Sequence, residues 1–216
     1  ADLTLNRVGP LSGVDGSNLT NRFTTWSGLV VQQAGGKYAE AVARGNCYTA
    51  LTPAAGIAVA AVTVTTTGIV TVHNPLNSGK RLVFLRVTAT YLSGTLGAGN
   101  IVLAVSPGVT ATLPSGGTAI VPLNMLSGSG NNSVATCGSA MTIATPVPVR
   151  NLANIMTITA AVVDSPHIAT DDIDGEIQCL PGTGLTICGT IVGAGSSPKL
   201  QFSLMYEEVL MLNPTN

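Results

Sequence analysis

The chain has 216 residues and a formal net charge of −1, and only 9% of its residues are charged. A chain of this length makes one domain, with or without an arm, and buries a core without metal or disulfide staples. Nine basic residues, with Lys80-Arg81 as the sole adjacent pair, exclude nucleic acid as a main partner, because neutralising a phosphate backbone takes clustered cations.

The first 36 residues scatter Leu3, Leu5, Val8, Leu11, Trp26 and Leu29 among Gly, Asn, Asp and Ser with no sustained period. They read as an extended arm (1–36) ahead of a β domain (37–216), or equally as a first strand with its loops. Residues 38–43 fit a strand closely bracketed by Gly35-Gly36 and Gly45-Asn46; a short helix is the alternative. Ten β-like runs follow, at 57–65, 68–73, 82–91, 101–105, 118–123, 133–145, 155–163, 176–180, 186–192 and 200–211. Gly, Pro, Ser and Asn clusters separate them. The last run alternates Leu200, Phe202, Leu204 and Tyr206 against Gln201 and Ser203, so one face is expected to be buried. Eight to ten antiparallel strands without a long helix predict an all-β sandwich or barrel. No fixed-period repeat points to a propeller or solenoid.

Between Arg86 and Arg150, and from Cys47 to Gly79, there is no Lys, Arg, Asp or Glu. Free monomers use charge to stay soluble and to guard strand edges. A neutral Ser, Thr, Asn and Gly surface suits a subunit packed among others. The uncharged stretch 51–72 is broken by Pro53, Gly56 and Gly68 and alternates like strands, so no membrane span is expected. The first residues lack the charged start and apolar core of a signal peptide.

The stretch HNPLNSGKRLVFL at 73–85 resembles a phosphate-binding loop at first sight. The pattern needs a glycine where Asn74 stands and a hydroxyl where Arg81 stands, and it must open a helix. Here a β-branched, aromatic run follows, so a tight turn feeding a strand is expected. There is no Gly-x-Ser-x-Gly and no His-Glu-x-x-His. The two histidines, His73 and His167, read as turn or surface residues, and Asp164-Ser165-Pro166-His167 as a loop rather than a compressed catalytic triad. The acidic cluster at 171–176 reads as a solvated turn; if it took calcium, Asp172, Asp174 and Glu176 would supply the oxygens, although the EF-hand spacing fails. Cys47, Cys137, Cys179 and Cys188 have no zinc spacing. Buried free thiols are expected, with a Cys179–Cys188 disulfide across a hairpin as the alternative. Too few aromatics and too localised acids argue against glycoside chemistry. No enzyme and no cofactor is expected.

Three stretches carry a resemblance: GKYAEAVARGNCYTALTPAAG, TTTGIVTVHNPLNSGKRLVFLRVTATY and LQFSLMYEEVL. Together they resemble small jelly-roll virion proteins of tailed bacteriophages, the kind that decorate or cement capsids, over about half of the chain. The resemblance implies a jelly roll of two four-stranded sheets, a homotrimer on the capsid surface of the virion, and the major capsid protein as partner. No active-site residues carry over. Leu3, Leu5, Val8, Trp26 and Leu29 are then the expected inter-subunit contacts, Trp being a favoured interface anchor. A fimbrial or adhesin subunit, and a carbohydrate-binding, tail-fibre-like module, are the alternatives from other classes.

Overall fold

A computed structural model describes residues 36–59, 64, 66–95, 97–155, 167–191 and 198–211. The chain divides into two compact units, Ala1–Glu40 and Ala41–Asn216. The expected arm, and with it Leu3, Leu5, Val8, Trp26 and Leu29, lies outside the described residues apart from Gly36.

The segment expected to be a strand at 38–43 is instead a short helix, α1 (Ala39–Ala43). Alanine at alternate positions favours the helix. Its end is fixed by Gly45, in the left-handed region at φ 69°. The Gly45 amide donates to the Val42 carbonyl and the Asn46 amide to the Ala41 carbonyl, at 2.8 and 3.3 Å. This paired closure needs a residue that tolerates positive φ at its penultimate position.

The rest is all β. The strands are β1 (Cys47–Leu51), β2 (Ile57–Ala58), β3 (Val70–His73), β4 (Lys80–Ser93), β5 (Gly99–Val105), β6 (Thr118–Ile120) and β7 (Leu123–Asn124), then β8 (Thr136–Ser139), β9 (Val147–Ile155), β10 (His167–Asp172), β11 (Gln178–Cys179), β12 (Gly184–Ile191) and β13 (Lys199–Leu210). They form two antiparallel sheets. One runs β10-β4-β13-β1-β7, with β11 also on β4 and β2 also on β13; the other runs β6-β8-β3-β12-β5-β9.

Eight of these strands explain the whole arrangement. Taken in chain order as β1, β3, β4, β5, β9, β10, β12 and β13, the first pairs with the last, the second with the seventh, the third with the sixth and the fourth with the fifth. That is one long antiparallel hairpin. Rolling it brings β13 onto β4 and β12 onto β5, which completes two four-stranded sheets. The strand order is that of a jelly roll. The remaining strands come from the long excursion between β5 and β9 and from short additions at sheet edges.

The core lies between the sheets. On β13 every second residue from Leu200 to Tyr206 is buried, as the alternation predicts. Tyr206 stacks on Tyr48 and tilts against Phe84, both at 5.9 Å between ring centres. The second sheet is also covered on its outer side: all four residues of β3 are buried, and Val102, Ala104 and Cys188 form a separate small cluster there with Val64.

Several boundaries differ from expectation for identifiable reasons. The run at 118–123 is two strands, parted at Val121-Pro122, and the two halves join different sheets. Proline has no N–H to donate to a ladder. β9 begins at Val147, well before the expected run at 155, despite Pro148; it is an edge strand, where proline is tolerated. β1 and β10 were not expected at all. The turn at 74–79 is as expected, with Gly79 at φ 66° and β4 starting at Lys80.

Candidate functional site

The acidic cluster is built into arginine pairs. Asp172, at the end of β10, accepts from Arg86 Nε at 2.5 Å. Arg150, on edge strand β9, donates to Asp171 Oδ1 at 2.8 Å and pairs with Glu176. Asp174 holds a turn at φ 52° just before Gly175. These pairs tie β9 to β10 and to the turn that follows it, along the side where both sheets end. Among the described residues, no three His, Cys, Asp or Glu side chains come together to hold a metal, so Asp172, Asp174 and Glu176 do not converge as a calcium site.

All four cysteines are free and buried. Cys179 lies on β11 of the first sheet and Cys188 on β12 of the second. Burial pushes the thiols of Cys137 and Cys179 up to about 12, and those of Cys47 and Cys188 up to about 11. At neutral pH they are protonated and poorly nucleophilic.

One buried polar cluster is fully engaged. Glu208, 1% exposed, pairs with Lys80 Nζ at 2.7 Å through one oxygen. Its other oxygen accepts from Ser133 Oγ and from the Val134 amide, both at 2.7 Å. Ser133 also shares a 2.7 Å hydrogen bond with the Tyr206 hydroxyl. The carboxylate thereby pins the β5–β9 excursion to β13 and β4.

The end of the sandwich where β3 turns into β4 is different. Three connections meet there: 74–79, the start of the excursion at 106–115, and 173–183. Backbone bonds lace them together. Gly182 N–H donates to Asn74 O, Asn74 N–H to Thr183 O, and Thr110 N–H to Gly182 O, all at 2.8 Å. The Asn74 side chain, fully buried, donates to Lys80 O at 2.8 Å and to Cys179 O at 3.0 Å. Over this lacework Leu76, Val109 and Leu180 are exposed, Val109 by 64%. Leu76 and Val109 converge on Gly182, where a Cβ would lie 3.0 and 2.6 Å from their side chains. Main-chain bonds thus hold this exposed apolar surface in place.

Beside it is a cavity of about 330 Å³ between the outer side of β3 and the excursion. His73 lines it, as do the hydroxyl-bearing residues Ser106, Thr110, Thr112, Ser115 and Thr142. His73 is only 3% exposed, and its Nε2 is buried without a hydrogen-bond partner. Burial lowers its basicity, so the imidazole is neutral at neutral pH. An unpaired buried polar atom costs about 1–3 kcal/mol. The sequence reading of His73 as a turn or surface residue is therefore corrected: its backbone ends a strand whose two faces are both covered. The alternation of VTVH marks a strand, but nothing local marks the second covering layer. Of the hydroxyl residues, Ser106 and Ser115 stand in turn-forming clusters and Thr142 in the run expected at 133–145.

Compared with known protein families, curated proteins and solved structures, the chain has no match.

Proposed function

We propose that the protein is a non-enzymatic structural component of a bacteriophage virion, a decoration or cement protein that binds the capsid surface and stabilises it. The observation that carries this reading is the laced end of the jelly roll, with Leu76, Val109 and Leu180 exposed on a fixed backbone. Such a face buries apolar area without paying an ordering entropy first. The low charge points the same way, as does the hydroxyl-bearing outer side of the first sheet, where Thr49 and Ser203 share a 3.1 Å hydrogen bond. The partners are the major capsid protein and other copies of the chain, in a homotrimer whose weak contacts multiply through multivalency. Leu3, Leu5, Val8, Trp26 and Leu29 add the inter-subunit contacts in this reading.

Light scattering on a sizing column tests the assembly. A discrete species at three times the 21.7 kDa chain mass supports it. A monomer counts against it, and open-ended polymers would favour a fimbrial subunit. Co-sedimentation with capsids of the source phage tests the partner. Leu76→Asp with Val109→Asp, and separately deletion of residues 1–30, are expected to abolish pelleting while the body keeps its melting temperature. Undiminished pelleting of both variants would sink the assignment.

A further inference from the structure

We propose that the cavity beside His73 binds a neutral, polyhydroxylated ligand, a sugar unit or small polyol. This goes beyond capsid attachment and does not depend on it. The volume, about 330 Å³, is at the small end of the range that ligand pockets occupy, about 300–1,000 Å³. Among its described lining residues none is charged, so an ionic ligand would shed water without meeting a counter-charge. Five of its lining residues carry a hydroxyl. Thr112, Ser115 and Thr142 are exposed, Ser106 and Thr110 half-buried, and His73 almost fully buried. A hydroxyl both donates and accepts, while His73 adds an uncharged ring whose Nε2 is buried within the wall. Ser106 Oγ is engaged with Gly184 and Thr110 Oγ1 with the Thr112 amide, and a ligand hydroxyl suits any rotamer of the exposed Thr112, Ser115 and Thr142. A carbonyl or an amine would suit only some of them. Leu113 and Ile143 supply apolar wall for the C–H face of a sugar ring.

The frame is already built. Ser115 and Thr142 exchange amide-to-carbonyl bonds at 3.2 and 2.7 Å, and the Ser106 amide donates to Gly184 O at 3.0 Å. A ligand entering such a site has little backbone to order. The described lining residues include no aromatic platform, so millimolar affinity is expected, of the kind that matters when many copies act together.

The test follows the imidazole. With only two histidines in the chain, the His73 ring is resolved by long-range proton–nitrogen correlation on the full-length protein. Glucose, galactose, mannose, N-acetylglucosamine and glycerol are titrated in turn. At least one is expected to shift the His73 ring saturably, with His167 unmoved. Ala144→Trp, which fills the cavity, is expected to weaken the response at least about tenfold. Thr142→Val, which removes one hydroxyl at constant size, is expected to weaken it several-fold with the melting temperature unchanged. No shift with any probe at about 100 mM would leave the cavity to water and overturn the proposal. A shift of equal size in both variants would place the ligand elsewhere and overturn it equally.

Discussion

Two buried polar regions of this molecule are handled in opposite ways. Around Glu208 both carboxylate oxygens have partners, from Lys80, Ser133 and Val134. At the laced end, His73 Nε2 and Asn74 Oδ1 are equally buried and have none. A satisfied network stabilises and specifies one arrangement, whereas an unsatisfied group is a standing penalty. The first region therefore reads as architecture. In the second, Asn74 contributes through its two donors in spite of its idle oxygen, and the His73 imidazole leaves Nε2 without a partner. A stability penalty kept beside a cavity and an apolar face is where function is to be sought.

The contrast can be broken at four points. Glu208→Ala carries the largest expected effect. It strands Lys80, Ser133 and the Val134 amide, and removing one partner of a buried pair typically costs about 3–5 kcal/mol. Lys80 keeps some access to water, so about 3 kcal/mol is expected from urea denaturation. A loss under about 1 kcal/mol would show the cluster to be ornamental. Asn74→Ala comes next, at about 1–2 kcal/mol, because two hydrogen bonds are lost while the orphaned oxygen disappears with them. If it proved stabilising, the joint would owe its strength to the backbone bonds alone.

His73 gives a smaller effect with a definite sign. Its basicity is lowered in the folded protein by burial, so the unfolded chain binds the proton more readily. Stability is then full above the unfolded value near 6.5 and falls as pH drops from there toward the folded value. Wild type is expected to lose melting temperature between about pH 7.5 and 5.5 relative to His73→Asn, which lacks that slope. Parallel curves would mean the imidazole is solvated after all. Arg150→Ala is the mildest. Its pairs with Asp171 and Glu176 sit near water, and about 0.5 kcal/mol or less is expected by denaturation. A larger loss would mean that those ion pairs, more than the β5–β9 ladder, hold the β9 edge.

Parts of this contrast were visible in the chain beforehand and parts were not. Asn74 stood in a stretch whose Asn, Pro, Ser and Gly mark a turn, and the turn is there. That its side chain would tie β4 to Cys179, more than a hundred residues on, had no local signature. Glu208 sat in the one strand whose alternation is unmistakable, at a position on the buried face, and that was a signal available to be read: an acid at an inward position needs a buried partner. His73 gave less, because the residues that line the cavity with it, at 112–115 and 142–144, lie far along the chain.

Local sequence carries the all-β class, the β4 and β13 strands, the inward face of β13, and the turn that joins β3 to β4. Periodicity, β-branching and turn chemistry are properties of neighbouring residues, and they act before any contact forms. It took the tertiary structure to decide that β1 and β10 are strands and that 118–124 divides between the two sheets. That structure alone decided that β1 lies against β13 from the opposite end of the domain. Those outcomes depend on which edge is left unpaired when the long hairpin rolls up. HIATDD at 167–172 has little strand propensity, and it becomes a strand because β4 offers it a free ladder of amides and carbonyls that would otherwise go unpaired.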